Sequence, residues 1–304
     1  MNAQLRTIAP TDHNRQKLIG GSDVAGILGL SPWKSPLDIY LDKIEPRAEK
    51  PDQNKARVFA RGKRMEPYVL DLLAEETGLE IVRRGQRYLD PELDFLAAEI
   101  DGEAKTGENV EIKTVSPFKA KEWGEEQTDA IPVHYTAQAM HGLMVTGRAV
   151  CVFGVLIGGD DFRVYRVERD DETIAGMRER EVAFWMRVQE RRPPEPTTSD
   201  DALRLFAFDT GAIVEAPEDV AGAVLRMQGI AAQSKALDEE YNLLRTRVQL
   251  AMRDASTLMH AGQVLCTWKA QSARRFDQKA FSAAHPDLFE QFKHATETRV
   301  FRLK

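Results

Sequence analysis

Residues 94–115 read DFLAAEIDGEAKTGENVEIKTV, and this stretch decides the fold of the chain. It predicts two short strands joined by a glycine-containing turn, with Asp101 closing the first strand. The second strand carries Glu111, Ile112 and Lys113. Because side chains in a strand alternate between its two faces, Glu111 and Lys113 point the same way. Two carboxylates and an ammonium group would then share one site. Grouped carboxylate oxygens suit Mg²⁺ or Mn²⁺, so the stretch predicts a divalent-metal site.

The composition is that of an ordinary globular protein. Of the 304 residues, 42% are hydrophobic and 30% are charged, and this length suits one large domain or two ordinary ones. The sequence contains no apolar run near the length of a membrane span. Its first ten residues, MNAQLRTIAP, lack the apolar core of a signal peptide. We therefore expect a cytoplasmic protein with no membrane partner.

The cysteines and the net charge narrow the class of protein further. Cys151 and Cys266 lie far apart, and two thiols cannot by themselves hold a zinc ion or an iron–sulfur cluster. Two buried thiols in a reducing compartment are the simpler interpretation. The formal net charge of −6 counts mildly against a nucleic-acid binder. An enzyme with an acidic metal site can, however, keep its positive charge in separate patches.

Hydrophobic periodicity predicts elements on both sides of the opening stretch. Residues 46–60 read as a polar connector, and Glu66 lies early in the helix predicted after them, where an acidic side chain complements the helix dipole. Pro132 opens a helix that contains Gln138 and ends at Gly147. Helices are expected at 61–78, 133–147 and 171–191, and strands at 80–89, 149–159 and 162–169.

The N-terminal region contains several groups suited to binding an anion. Ser22 is predicted to cap a short helix that ends at Gly29, and Arg15, Lys34 and Ser35 lie near other helix starts. Free backbone N–H groups at such positions favour a phosphate. Simple capping and a solvated lysine explain the same residues, and this stretch alone favours that explanation.

The C-terminal part has a different character. The sequence RRPPEPTTSDD, residues 191–201, is typical of a linker or a domain edge. The helical pattern of residues 217–259 suits either a helical hairpin or a protruding coiled arm. Residues 269–304 contain eight basic and four acidic residues, a local charge of +4. We predict a domain at 1–192 and a C-terminal extension at 193–304 with a helical arm and a small basic α/β piece.

Five motifs in a fixed order resemble those of one nuclease superfamily. The chain is similar to the PD-(D/E)xK nucleases, and most of all to the YqaJ group of phage recombinase exonucleases, to which lambda exonuclease is related. The motifs are IGGSDVAGILGLSPWKSPLDIYLDK (19–43), RGKRMEPYVLDLLAEETG (61–78), AAEIDGEA (97–104), VEIKT (110–114) and YTAQAMHGLMVTG (135–147). The resemblance implies an α/β (α+β) nuclease core in residues 1–192, with a mixed central sheet flanked by helices.

The resemblance also implies a metal site for phosphodiester hydrolysis. Asp101, Glu111 and the backbone carbonyl of Ile112 would hold Mg²⁺, for which Mn²⁺ can substitute. Glu66 would complete the site and bridge to any second ion. Two ions about 3.5–4 Å apart can stabilise both the attacking and the leaving oxygen.

The remaining roles implied by the resemblance concern the nucleophile and the DNA end. Lys113 would orient the attacking water or stabilise charge, and Gln138 would position that water or Lys113. Arg15 and Ser22 would hold the 5′-terminal phosphate, with Lys34 as a third group. Ser35 stays a DNA-binding candidate from the helix-start pattern.

The implied activity is 5′→3′ digestion of double-stranded DNA ends in a bacterial host cell. It would leave 3′ single-stranded tails for a partner annealing protein in phage-type recombination. Relatives of the lambda type form a trimeric ring, although the extension at 193–304 could set a different oligomer. Two alternatives stay open: a structure-specific endonuclease using the same site, and a non-catalytic DNA-binding recombination scaffold. The presence of Glu66, Asp101, Glu111 and Lys113 argues against the scaffold.

Overall fold

The computed structural model describes residues 6–8, 15–45, 53–294 and 298–304. The chain divides into two units, Met1–Leu205 and Phe206–Lys304. Within the described ranges, no helix is both long enough and apolar enough to cross a membrane.

The first unit extends past residue 192, where the sequence predicted its boundary, to the end of a short helix at Leu205. The hydroxyl of Ser35 donates a hydrogen bond to Oδ1 of Asp201 in that helix, at 2.6 Å. Asp201 is almost completely buried. The proline-containing segment after residue 191 therefore leads to a further helix packed on the first unit.

A mixed sheet lies at the centre of the first unit. Its described strands are β1 (Arg6–Ile8), β2 (Ile19–Gly20), β3 (Ile81–Leu89), β4 (Leu96–Ala104), β5 (Asn109–Val115), β6 (Val150–Ile157) and β7 (Asp161–Glu168). Their order is β1-β3-β4-β5-β6-β7, and β2 pairs with β4. β4 and β5 are antiparallel, whereas β5 and β6 are parallel. The predicted mixed central sheet is confirmed.

Helices cover both faces of this sheet. The described helices are α1 (Gly21–Ile27), α2 (Pro36–Ile44), α3 (Gln53–Thr77), α4 (Val133–Thr146), α5 (Asp171–Gln189) and α6 (Ser199–Leu205). Val152 and Leu156 of β6 pack in one apolar cluster with α3. Phe153 and Val155 of the same strand pack in a second cluster with α1, α4 and α5. β6 is apolar throughout because both of its faces are buried, as predicted.

α3 begins at Gln53, so the prediction of a polar connector through residue 60 was wrong from that point. Residues 57–60 near its start are exposed, and Phe59 among them is 75% exposed. A surface turn needs no apolar stripe, and Ala, Arg and Lys favour helix on their own. Periodicity therefore detected only the buried part of α3, around Val69 and Leu73. Glu66 consequently lies in the middle of the helix.

The hairpin of the opening stretch is present, but β4 is longer than predicted. It continues to Ala104, so Asp101 lies inside the strand and does not close it. The turn contains Gly107 with φ of +103°, a backbone conformation that favours glycine. Gly102 faces Val110 in the antiparallel register. This register places Asp101 beside the second strand.

The start of α1 also differs from the prediction. Gly20 is the N-cap, and Ser22 lies within the helix. The backbone N–H of Gly20 donates to the carboxylate of Asp23 at 3.1 Å. An acidic side chain three residues into a helix can bond back to the cap in this way, so Asp23 carries out the capping that was assigned to Ser22.

The second unit contains one long helix and several short elements. α7 (Glu218–Met252) is a single helix of 35 residues. The helical prediction through residue 259 was too long, because the chain enters a hairpin at Thr257. The other described elements are β8 (Thr257–His260), β9 (Gln263–Thr267), α8 (Gln278–Ala284) and α9 (Pro286–Gln291).

Candidate active site

The predicted acid-x-lysine pair lies on one face of β5. The ammonium Nζ of Lys113 donates to Oε2 of Glu111 at 2.9 Å, and both side chains are largely buried. Ile112, between them, points the other way into the apolar cluster with α3. The alternation predicted from the sequence is therefore confirmed.

Gln138 reaches the same carboxylate from α4. Its Nε2 donates to Oε2 of Glu111 at 2.9 Å. One carboxylate oxygen thus accepts from both an ammonium and an amide. α4 also places the ring of Tyr135 5.4 Å from Nζ of Lys113, within the range of a cation–π contact. α1 packs closely against α4 at Gly21. A Cβ at this position would lie only 3.2 Å from Cγ of Gln138.

Asp101 approaches from the neighbouring strand. Its Oδ2 accepts a hydrogen bond from the backbone N–H of Ile112 at 2.8 Å. Glu66 comes from α3, its carboxylate is about one-third exposed, and Nζ of Lys63 lies 3.7 Å from its Oε2. Glu66, Asp101 and Gln138 line one cavity of about 220 Å³. Residues from α3, β4 and α4, predicted separately, therefore meet at one place.

The pKa shifts of these groups reflect burial first and the crowding of negative charge second. Burial, reinforced by the charge of Asp101, raises the pKa of Glu111 to about 7, although Lys113 opposes the shift. Burial and the charge of Asp101 likewise raise the pKa of Glu66. For Lys113, burial would lower the pKa, but the charges of Glu111 and Asp101 outweigh it and hold the pKa above its usual range. Lys113 therefore carries its positive charge.

The donor types fit a hard divalent cation. The charge of Asp101 contributes to the raised pKa of Glu66 and of Glu111, and a cation would offset that repulsion. Within the described ranges, no three acidic, histidine or cysteine side chains already stand in a metal-holding arrangement. Oε2 of Glu111 and Oδ2 of Asp101 both accept hydrogen bonds from N–H groups.

The predicted phosphate-binding residues are not all brought together. Ser22 lines the cavity beside Glu66 and Asp101. Lys34 instead forms an ion pair with Asp42 in α2. Ser35 caps α2, accepting from the N–H of Asp38 at 3.1 Å, and also donates to Asp201. The side chain of Arg15 lies outside the described residues.

Four further charged residues line the cavity and were missed as site residues from the sequence. They are Asp23, Lys63, Arg87 and Glu99. Glu99 lies two residues before Asp101 in β4, so strand alternation could have placed it on the same face. Arg87 faces Glu99 across the β3–β4 ladder and donates to its carboxylate at 2.5 Å. Finding Arg87 required that register, which the sequence does not state.

Comparison with known proteins shows the family to which this chain belongs. Residues 12–149 match the model of the YqaJ-like viral recombinase domain. The uncharacterized protein YqaJ of Bacillus subtilis (strain 168) is 30% identical over 300 residues, covering 95% of this chain and 92% of the relative. The chain belongs to the YqaJ-like viral recombinase domain family. Because the match extends over nearly the whole chain, the relative also has a counterpart of most of the second unit.

Two solved structures are similar to part of this chain, both at low sequence identity. One is the alkaline exonuclease LHK-Exo from Laribacter hongkongensis, with 19% identity and a TM-score of 0.45, covering 58% of this chain and 90% of the other. The second is a phage-related exonuclease from Haemophilus somnus 129PT, with 15% identity and a TM-score of 0.41, covering 57% of this chain and 94% of the other.

Proposed function

We propose that this chain is a Mg²⁺-dependent nuclease that digests double-stranded DNA ends in the 5′→3′ direction and leaves 3′ single-stranded tails. The observation that carries the proposal is the buried carboxylate of Glu111, bonded to both Lys113 and Gln138 on the strand beside Asp101. Acidic oxygens next to a permanently charged ammonium are suited to phosphodiester hydrolysis. Membership of a viral recombinase family supports a role in recombination.

Asp101, Glu111, Glu66 and the carbonyl of Ile112 are the groups that would hold the divalent cation, with Mn²⁺ as a substitute for Mg²⁺. When bound, such an ion places positive charge against the scissile phosphate and lowers the pKa of water. The burial of Glu111 excludes bulk solvent from one side of the site. This burial strengthens the electrostatic interactions between the charged groups.

Lys113 and Gln138 act as positioning groups around that carboxylate. Lys113 remains an ammonium at neutral pH, so it can donate to the attacking water or to a phosphate oxygen. The ring of Tyr135 and the carboxylate of Glu111 restrict where its Nζ can move. Gln138 has both an amide donor and an acceptor, and its donor already fixes Glu111.

The preference for a DNA end would depend on the other polar residues that line the cavity. Ser22, Lys63 and Arg87 line the cavity, with Lys63 paired with Glu66 and Arg87 paired with Glu99. These groups suit a terminal 5′-phosphate, together with Arg15 as expected from the resemblance. Single-stranded product would pass to an annealing protein. Lys34 is less suited to the role while it is paired with Asp42.

The experiment uses linear duplex DNA with either 5′-phosphate or 5′-hydroxyl ends, in Mg²⁺ or in EDTA. We expect Mg²⁺-dependent loss of duplex, faster digestion from 5′-phosphate ends, and no activity in Lys113→Ala. Lys105→Ala is the matched control. Lys105 lies on the turn after β4, is exposed, and pairs with Glu80. Wild-type activity in Lys113→Ala would show that the site is assigned wrongly.

Covalently closed circular DNA separates the alternatives. An exonuclease leaves the circle intact, whereas cutting it as fast as linear DNA would identify an endonuclease at the same site. A scaffold would bind both DNAs and degrade neither. The hydrogen-bonded arrangement of Glu111, Lys113 and Gln138 argues against the scaffold, because a binding surface has no need of a buried carboxylate held this way.

A further inference from the structure

α7 carries a continuous heptad stripe. Along the helix, residues of small or apolar character recur with alternating spacings of three and four. They are Val220, Ala223, Met227, Ile230, Ser234, Leu237, Tyr241, Leu244, Val248 and Ala251. In heptad notation, Val220 and every seventh residue after it are a positions, and Ala223 begins the d series. A 3–4 repeat over this length is the pattern of a helix that packs against another helix along a coiled-coil seam.

This stripe faces solvent in the chain. All ten a and d positions are exposed, including Leu237 at 64%, Tyr241 at 65% and Leu244 at 55%. α7 has 35 residues, a length of about 52 Å at 1.5 Å per residue. Soluble proteins rarely leave an apolar strip of this extent uncovered unless it binds a partner.

The charges beside the stripe indicate that the partner is a second copy of the same helix. In a parallel pair in register, each g residue faces the e residue five positions later in the other helix. Glu240 would then face Arg245 of the second copy, and this ion pair occurs twice by symmetry. The other facing pairs, such as Gln233 with Asp238, contain no like charges.

Antiparallel pairings fit less well. Full antiparallel overlap would place Arg226 opposite Arg247 of the second copy, which is repulsive. A shifted antiparallel overlap pairs Asp238 with Arg245 but covers only residues 234–251. It would leave Met227 and Ile230 exposed.

The residues at the seam also indicate the number of strands. Two of the five a positions, Val220 and Val248, are β-branched, and two of the five d positions are leucine, Leu237 and Leu244. β-Branched a residues with leucine at d favour two-stranded parallel coils. We propose that α7 forms a parallel two-stranded coiled coil between two copies of this chain. This assembly is a dimer, in contrast to the trimeric ring expected from the resemblance.

The mass of the full-length chain in solution tests the proposal. Light scattering after gel filtration should give about 68 kDa, twice the chain mass of 34.2 kDa. Leu244→Asp should halve that mass. Leu243→Asp is the matched control, because Leu243 is the adjacent leucine, is 73% exposed and occupies a c position off the seam. A monomeric wild type, or an assembly that Leu244→Asp leaves intact, would overturn the proposal.

Cysteine crosslinking tests the orientation without a charged substitution. In a Cys266→Ser background, Leu244→Cys should form a disulfide between copies under mild oxidation, and Leu243→Cys should not. In the shifted antiparallel pair, Leu244 would instead face Tyr241 of the other copy. Failure of Leu244→Cys to crosslink, or equal crosslinking by Leu243→Cys, would contradict a parallel pair in register.

Discussion

Replacing Lys43 with methionine is expected to destabilise the first unit by about 3–5 kcal/mol, the usual cost of leaving one member of a buried ion pair alone. Only 2% of the Lys43 side chain is exposed. Its Nζ donates to Oδ2 of Asp23 at 2.6 Å and to the carbonyl of Leu18 at 2.6 Å. Methionine keeps the length of the side chain, so the lost interactions are those of the ammonium.

Loss of the Lys43 ammonium should also affect the candidate site, because Lys43 bonds to Asp23 in α1. Asp23, 12% exposed, also accepts from the N–H of Gly20 and so holds the start of the helix. Without Lys43, its carboxylate would be charged and buried with less compensation. The first turn of α1, which carries Ser22 in the cavity wall, should therefore loosen. We expect reduced preference for a 5′-phosphate alongside the loss of stability.

Urea denaturation followed by circular dichroism and tryptophan fluorescence measures the change. Lys34→Met is the matched control, because Lys34 lies just before the helix that carries Lys43, pairs with Asp42 but is 39% exposed, and should contribute about 0–1 kcal/mol. The double variant Asp23→Asn with Lys43→Met should recover much of the loss, because no buried charge remains unpaired. Equal destabilisation by Lys43→Met and Lys34→Met would refute the reasoning.

Three other predictions concern single groups. Gln138→Ala removes a hydrogen bond to a charged carboxylate, worth about 1.5–3 kcal/mol, so kcat should fall about 10- to 150-fold in a duplex digestion assay. Burial would lower the pKa of His141, but the carboxylate of Glu181 raises it overall. The stabilisation from that pair should therefore be full below about pH 6.5 and disappear as pH rises through the raised pKa, when wild type and His141→Gln are compared by urea unfolding. Buried Cys151, whose thiol pKa burial raises well above its usual value, should resist a thiol reagent that modifies Cys266.

Each of these predictions has an outcome that contradicts it. Unchanged kcat in Gln138→Ala would mean that its bond to the β5 carboxylate does not position reacting groups. A stability difference between wild type and His141→Gln that grows with alkaline pH would reverse the sign of the His141 pKa shift. Rapid modification of both cysteines in the folded protein would show that β6 is accessible, contrary to its burial.

Local patterns predicted much of the first unit because they report properties of single elements. The unbroken apolar run of β6 indicated burial on both faces, and Pro132 with Gly147 bounded α4 to within a residue. The first turns of α3 were missed for the converse reason. The side chains of residues 57–60 are exposed, so this part of α3 does not carry the buried apolar stripe on which the prediction depended.

The hairpin of residues 94–115 shows which features follow from the sequence and which follow from the tertiary structure. The sequence by itself determined that Glu111 and Lys113 share a face, because strand alternation is a property of the backbone. Only the tertiary structure decided that Asp101 lies inside β4, that Gln138 donates to Glu111, and that Arg87 and Glu99 join the cavity. Those contacts depend on strand register and on how α4 packs against the sheet, and packing joins residues that no local pattern relates.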